Sequence, residues 1–364
     1  MTEGRTGTSF AQHPATTSSG RPVPAFAALD LGTNNCRLLI GAPTAVGFRV
    51  LDSFSRVVRL GEGLHRTGKL SDDAMDRAVS ALRACAHRLE RRPLRGVRAI
   101  ATEACRRASN GPEFLRRVQA ETGLLVEVIS SREEAELAVE SCAPLLRGRA
   151  QRALLFDIGG GSTEIAWVRL SGSGSPPELI GYTSLPIGVV TLAERFRTSA
   201  FDRETYDAMV EMVQQRLHPF EAVHCIGHEI RNGAVSMLGT SGTVTTLAGV
   251  ALDLPRYSRL QIDGVVLSAD AANAALERLR EMGPDGMGRH PCVGPDRAEF
   301  VLPGCALFAA IHALWPVPRV LVADRGLREG MLMRLMRADH VRIRYHVSDR
   351  ATRRASAVHV AAHA

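Results

Sequence analysis

The sequence Leu154-Leu-Phe-Asp-Ile-Gly-Gly-Gly-Ser-Thr-Glu164 decides the fold. Apolar residues run up to Asp157, and three glycines follow one residue later. This pattern predicts a buried strand that ends in a tight turn. Glycines can take φ > 0, and successive backbone amides in such a turn form a concavity that binds anions. A glycine triplet after a strand is also found in plain hairpins, so this stretch alone fits either a hairpin or an anion-binding turn.

A second copy of the pattern occurs in Ala28-Leu-Asp-Leu-Gly-Thr-Asn-Asn35. Asp30 matches Asp157, and Gly32 matches Gly159. Each copy then returns to an apolar run, so strand, turn and strand occur twice. A repeat at such long spacing indicates two related domains that face each other across a cleft.

Length and composition fit a soluble protein of two domains. The chain has 364 residues, of which 45% are apolar and 23% charged, as in ordinary globular proteins. No run approaches the roughly 18 uninterrupted apolar residues of a membrane span. The net charge is +7, and arginine carries nearly all of the positive charge because Lys69 is the single lysine. Genome composition explains this bias, and a basic surface also attracts polyanions.

The cysteines indicate a reducing compartment. Seven cysteines are scattered without a Cys-x-x-Cys pair, which favours a cytosolic protein with free thiols. His224-Cys225-x-x-His228 is better explained by structure than by a metal, because no second ligand pair follows at zinc spacing.

The sequence predicts two domains with a tail at each end. Residues 1–24 contain few large apolar side chains and are predicted to be a disordered tail. Domain I is predicted at 25–133, domain II at 134–330, a closing helix at 331–340 and a basic tail at 341–364. A third turn with glycine and hydroxyl residues, Gly239–Thr243, precedes an apolar helix whose N-terminus offers free N–H groups to an anion.

These segments together resemble the exopolyphosphatase and guanosine pentaphosphate phosphatase family (Ppx/GppA), of the actin-like ATPase superfamily. The resemblance covers about residues 25–334 and fits the short, two-domain members. It rests on five stretches in the right order: Asp30–Asn35, Ala101–Arg106 with Asn110-Gly111, Glu133–Ala135, Asp157–Glu164 and Gly239–Thr243.

The resemblance implies an α/β fold of two duplicated actin-like (ribonuclease H-like) domains, with mixed five-stranded sheets, flanking helices and an interdomain cleft. It implies hydrolysis of the terminal phosphoanhydride of inorganic polyphosphate, with Mg²⁺ or another divalent cation. Alternatives are a guanosine pentaphosphate 5′-phosphatase, an actin-like kinase or ATPase, and a non-catalytic sensor of polyphosphate or nucleotide. A cytoplasmic homodimer is expected, with no membrane or specific nucleic-acid partner.

The resemblance also assigns roles to residues. Glu134 is the expected base, Asp157 is catalytic, and Arg106 neutralises the substrate's charge. Asp30, Asp157 and Glu164 are the expected metal ligands. The expected phosphate-binding residues are Thr33, Asn34, Gly159, Gly160, Gly161, Ser162, Thr163 and Gly242. Each of these residues also has a purely structural explanation. The aspartates can cap their turns, Arg106 can form an ion pair, and Glu134 can be an acid at the start of a helix.

Three departures from the family pattern accompany these roles. Thr33 stands where the family usually has serine, which keeps the hydroxyl. Ser131 and Arg132 replace a glycine-containing turn before the two acids. Glu103 is an unexpected acid beside the expected polyanion site.

Overall fold

A computed structural model of the chain describes residues 24–45, 47–146, 150–171, 175–196, 202–233 and 235–340. The predicted disordered N-terminal tail, apart from its last residue, and the predicted basic C-terminal tail lie outside the described residues.

The first half of the chain forms a mixed five-stranded sheet. Its strands are β1 (Ala25–Leu31), β2 (Asn35–Thr44), β3 (Gly47–Val57), β4 (Leu94–Ala101) and β5 (Glu127–Val128). Their order in the sheet is β3-β2-β1-β4-β5. The helices of this half are α1 (Leu64–Thr67), α2 (Asp72–Glu90), α3 (Glu103–Arg107) and α4 (Gly111–Thr122). The longest, α2, begins where the Ser71 hydroxyl accepts a hydrogen bond from the Ala74 amide.

The second half forms a sheet with one strand more than predicted. Its strands are β6 (Arg152–Ile158), β7 (Thr163–Arg169), β8 (Glu178–Leu185), β9 (Val235–Thr240), β10 (Val266–Ser268) and β11 (Arg319–Ala323), in the order β10-β11-β9-β6-β7-β8. The additional strand, β10, has three residues and pairs antiparallel with β11 at the sheet's edge. So short a segment carries no readable alternation of apolar and polar residues.

Within the described residues, seven helices flank the second sheet, and two further helices link the halves. The flanking helices are α6 (Val189–Phe196), α7 (Arg203–His224), α8 (Ile226–Arg231), α9 (Ser241–Ala251), α10 (Arg259–Ile262), α11 (Ala269–Arg289) and α12 (Pro295–Leu314). The linking helices are α5 (Ser131–Cys142), which continues as a 3₁₀ turn (Ala143–Leu145), and the closing helix (residues 327–340). The closing helix therefore begins four residues before its predicted start, and the division into domains stays a prediction.

The two linking helices cross each other between the sheets. Ala138 and Val139 of α5 pack on the second sheet, whereas Leu137 packs with Met331 of the closing helix against the first sheet. Gly330 lies at the crossing, where a Cβ atom would collide with the Leu137 carbonyl oxygen. Glycine is therefore required there by close approach of the two backbones.

The duplicated pattern has the same register in both sheets. β1 and β2 form an antiparallel hairpin that pairs Asp30 with Arg37. β6 and β7 form the equivalent hairpin, which pairs Asp157 with Glu164. A parallel strand then follows beside each first strand, β4 beside β1 and β9 beside β6. Both aspartates thus lie at the carboxyl edge of their sheet, where ligands bind in α/β folds.

One helix of the described residues, Pro295–Leu314, is long and apolar enough to cross a membrane by length and composition. It packs in the core of the second half, where Leu302, Cys305 and Phe308 are buried. Core helices of soluble proteins have the same composition, so this helix is weak evidence for a membrane span.

Candidate active site

The two glycine turns line one common cavity of about 420 Å³ between the halves of the molecule. Asp30, Gly32, Thr33 and Asn34 reach it from the first half. The second half contributes Asp157, Gly159, Gly160, Gly161, Ser162, Glu164 and Gly242, and α5 contributes Glu134. The structure therefore brings together most of the residues that the sequence selected.

The turns touch each other across this cavity. A Cβ atom on Gly160 would lie 3.3 Å from the Cβ atoms of Thr33 and Asn34, and one on Gly161 would lie 2.5 Å from Thr33 Oγ1. None of the three described glycines of the triplet has a positive φ. The expected reason for glycine, a left-handed backbone, is thus wrong here, because Gly160 and Gly161 are needed for the close approach of the opposing turn, and Gly159 for its approach to the Ser162 carbonyl oxygen.

The backbone of both turns leaves its amides free for an anion. The Gly159 amide donates to the Ser162 carbonyl at 2.9 Å, and Gly32 donates to Asn35 at the same distance. The carbonyls of Gly159 and Gly160 accept from the first amides of α6, at 3.0 and 2.9 Å. The amides of the central turn residues donate to no atom in the described part of the chain; they belong to Gly160, Gly161, Ser162, Thr33 and Asn34. Such unpaired N–H groups suit phosphate oxygens.

The carboxylates of the second half are buried close to each other. Asp157 accepts a hydrogen bond from the Ser241 hydroxyl, and Glu164 accepts one from Ser184 at 2.9 Å. Burial, with a contribution from Asp157, raises the pKa of Glu164 to about 7, and burial also raises the pKa of Asp157. In the first half, burial raises the pKa of Asp30 to about 6. A cluster of this kind favours binding of a cation or a proton.

The donor set fits a hard divalent cation that also binds the substrate. The buried oxygens Asp30 Oδ1 and Asn34 Oδ1 have no hydrogen-bond partner among the described residues. Within the same residues, no group of three or more His, Cys, Asp or Glu side chains is arranged to hold a metal ion. Mg²⁺ is usually held by one or two carboxylates together with waters and substrate phosphates. The assignment of Asp30, Asp157 and Glu164 as ligands stays a prediction, because these three described side chains are not arranged around one ion.

Glu134 lies on the first turn of α5 and faces the cavity. The Ser130 hydroxyl caps this helix by accepting from the Glu133 amide at 3.2 Å. Burial, followed by the negative charge of Glu164, raises the pKa of Glu134 well above its ordinary value, and Arg106 opposes that rise. A carboxylate with a raised pKa beside a phosphate site is suited to act as a general base.

Comparison with known proteins agrees with this geometry. The model of the Ppx/GppA phosphatase family matches residues 39–339. The chain belongs to this family. The duplicated actin-like α/β fold predicted from the sequence is thereby confirmed.

Known structures of the family resemble the chain along most of its length. A Ppx/GppA family member from Aquifex aeolicus shares 27% identity, with a TM-score of 0.71, 88% of this chain covered and 100% of that one. An exopolyphosphatase-like protein shares 27% identity, with a TM-score of 0.77 and coverage of 86% and 97%. An exopolyphosphatase from Cytophaga hutchinsonii, at 24% identity, has a TM-score of 0.76 and coverage of 86% and 98%, which shows the fold alone.

Two of the residues that the family resemblance selected do not reach the cavity. Arg106 lies behind Glu134, where all its guanidinium N–H groups are taken by Glu103, Glu134 and the Ile129 carbonyl. Thr163 is fully buried, and its hydroxyl donates to the Ile187 carbonyl at 2.7 Å. Arg106 therefore forms the ion pair that was the structural alternative. Its predicted contact with a polyanion is not seen in this arrangement.

Other arginines line the cavity instead. They are Arg37, Arg259, Arg297, Arg325 and Arg328. Arg325 pairs with Asp263 at 2.8 Å, and Arg259 pairs with Glu329 at 2.9 Å. Arg37, Arg297 and Arg328 form no hydrogen bond or ion pair with any described residue. One signal for Arg37 was present in the sequence, because it follows Asp30 by the same seven positions that separate Glu164 from Asp157.

Proposed function

We propose that the protein is a Mg²⁺-dependent phosphoanhydride hydrolase that removes the terminal phosphate of inorganic polyphosphate and releases orthophosphate. The observation that carries this proposal is the single cavity in which the free amides of both turns, the buried carboxylates and Glu134 meet. Membership of a phosphatase family supports it.

The turns would hold the phosphate that is removed. Free amides of Gly160 and Gly161 from one side, and of Thr33 and Asn34 from the other, are available to its equatorial oxygens. Charge accumulates on these oxygens in the transition state, and preorganised N–H groups stabilise it. Asp157, with Asp30 and Glu164, would hold Mg²⁺, which when bound neutralises charge on the phosphate oxygens.

Glu134 would orient the attacking water and take its proton. The water oxygen forms a bond to the terminal phosphorus while the bond to the bridging oxygen breaks. The shortened chain then leaves on that oxygen, and orthophosphate forms. The raised pKa of Glu134 strengthens its carboxylate as a base, and protonation of that carboxylate abolishes the role.

Guanosine pentaphosphate is the second candidate substrate. One part of the cavity is lined by Tyr257, Phe300 and Val301, and aromatic and apolar side chains of this kind suit a purine base. Both substrates present a terminal anhydride phosphate to the turns. The family resemblance further suggests a cytoplasmic homodimer without a membrane or specific nucleic-acid partner, and analytical ultracentrifugation tests the dimer.

Phosphate release from the purified full-length protein tests the proposal. Long-chain polyphosphate and guanosine pentaphosphate are compared side by side, with and without Mg²⁺. We expect Mg²⁺-dependent release, with faster turnover of polyphosphate. Faster turnover of guanosine pentaphosphate would instead favour the nucleotide phosphatase.

A pair of variants assigns the activity to this site. Glu134→Gln should lower phosphate release by about 10²-fold or more, because a general base is lost, while the fold and substrate binding remain. Glu133→Gln is the control, since Glu133 pairs with Arg98 and Arg334 and does not line the cavity. Near-normal turnover of Glu134→Gln would remove it from the role. Binding without hydrolysis would indicate a sensor, and tight ADP binding a kinase or ATPase.

A further inference from the structure

The Arg106 guanidinium is shared between two buried carboxylates. Its Nε and Nη2 atoms donate to Glu103 Oε2, at 3.0 and 2.7 Å. Its Nη1 and Nη2 atoms donate to Glu134 Oε2, both at 3.1 Å. Nη1 also donates to the Ile129 carbonyl at 2.8 Å. A guanidinium has five N–H donors, so these five bonds saturate it.

The pairing gives the two carboxylate oxygens of Glu134 different hydrogen bonding. Oε2 accepts both bonds from Arg106, whereas Oε1 accepts none from the described residues. Arginine usually binds a carboxylate through a two-oxygen fork, in which each oxygen takes one N–H group. Here Glu103 occupies the Nε edge, so Arg106 can offer Glu134 only its outer edge. One oxygen of Glu134 is therefore fixed and the other is left for the cavity.

Glu103 contacts Arg106 through hydrogen bonds and the second turn through its side-chain carbons. It is buried and lies outside the main cavity, against Gly161, whose added Cβ would be 3.3 Å from Glu103 Cγ. Its other charged neighbour is Arg107, at 3.8 Å. His65 and Glu194 line the small cavity beside Glu103 but pair with each other at 2.7 Å.

We propose that Glu103 is a positioning residue for the reaction, because it holds Arg106 in the orientation that fixes Glu134 Oε2 and leaves Oε1 for the attacking water. The inference rests on the proposed function. It also explains why Glu103, an acid, lies next to the phosphate turns, although a negative charge there is unfavourable for binding a polyanion. Without Glu103, the Nε edge of Arg106 is free to form the two-oxygen fork and to occupy Oε1.

Steady-state kinetics test this arrangement. Glu103→Leu should lower kcat about tenfold with KM changed less than about twofold, because the base is misplaced while the phosphate turns are intact. Glu103→Gln should recover most of kcat, since its amide oxygen can accept the same two bonds. Glu113→Gln removes an exposed acid from α4 and should leave both constants unchanged. If Glu103→Leu does not fold, as judged by circular dichroism, Glu103→Ala replaces it.

A double variant separates positioning from general destabilisation. In a Glu134→Gln background, Glu103→Leu should cause no further loss of kcat, because residues that act through one another are not additive. A further tenfold loss in that background, or a loss that appears mainly in KM, would overturn the proposal.

The guanidinium itself gives a signature that does not depend on turnover. The ¹⁵N–¹H resonances of Arg106, assigned with Arg106→Lys, should show separate Nη sites in the wild-type protein, because all five N–H groups are bonded. Glu103→Leu should make them exchange, and unchanged signals would overturn the proposal. If the wild-type protein hydrolyses neither substrate, the proposed function fails, while these resonances still decide the role of Glu103.

Discussion

The turns of the two halves share one frame but differ in charge at one matching position. In each, the amide of the first glycine donates to the carbonyl three residues later at 2.9 Å, and the strand aspartate pairs with the residue seven positions on. That residue is Arg37 in the first half and Glu164 in the second. Burial raises the pKa of all three acids, and Arg37 opposes that rise at both Asp30 and Asp157.

The difference indicates that the two copies of the motif have different roles in the site, which we call the division of work between the turns. The second turn consists of small residues and presents amides below two buried carboxylates that lie opposite each other on β6 and β7, which suits a cation with phosphate oxygens. The first turn keeps the Thr33 and Asn34 side chains, which fill the space that the glycines of the second turn leave open. Each turn is thus shaped by the other, and neither forms the site alone.

The test with the largest expected effect replaces each of the two aspartates separately. Asp157→Asn should lower phosphate release by about 10³-fold, because it disrupts an acid pair that nothing else in the site replaces. Asp30→Asn should cost only about tenfold, since Arg37 lies opposite Asp30 and already neutralises part of its charge. The measurement is phosphate release from long-chain polyphosphate over a Mg²⁺ titration.

Both variants need the same control of folding, by thermal unfolding without Mg²⁺. The division of work would be contradicted if the two substitutions cost the same, or if only Asp30→Asn shifted the Mg²⁺ dependence. Either result would make the halves equivalent in spite of their different charges.

A smaller effect is expected from the contact between the turns. Gly161→Ala should lower the free energy of unfolding by about 2 kcal/mol, because the new methyl group overlaps Thr33 Oγ1. Thr33→Ala removes that oxygen, so the double variant should regain at least half of the loss. Urea unfolding of the two single variants and the double variant measures this coupling.

The rescue is the decisive part of that experiment. Additive losses in the double variant would mean that the turns do not touch as described. The Glu103 side chain, also close to Gly161, sets the limit on how much stability is recovered.

The sequence was sufficient for the parts of the site that repeat. The two Asp-x-Gly frames predicted both hairpins and their shared cleft, because a duplicated motif indicates which segments are equivalent, and the family resemblance implied the actin-like fold. The reason for the glycine triplet was not predictable, since the close approach of Thr33 is a contact between halves. The pairing of Arg106 with Glu103 and Glu134 was also out of reach, because it depends on where α5 crosses the second sheet.

The smallest expected effect is the pH dependence of stability. The pKa of Glu164 rises from an ordinary value of 4.5 to about 7, and that of Asp30 from 3.8 to about 6. The folded state therefore binds more protons than the unfolded state in this range, so these groups make stability fall as pH rises from about 4.5 to about 7. Without metal, Tm should be about 3 °C lower at pH 8 than at pH 5.5.

Two variants assign that slope to the acid pair of the second turn. Glu164→Gln should flatten it, because the amide does not titrate, whereas Glu178→Gln, at an exposed acid of β8, should leave it unchanged. Mg²⁺ should raise Tm more at pH 8 than at pH 5.5, since a cation competes with protons for the same oxygens. Asp30 should retain a smaller slope, so a slope that Glu164→Gln leaves unchanged would mean that Glu164 does not cause it and that the charge difference between the two turns has no effect on stability.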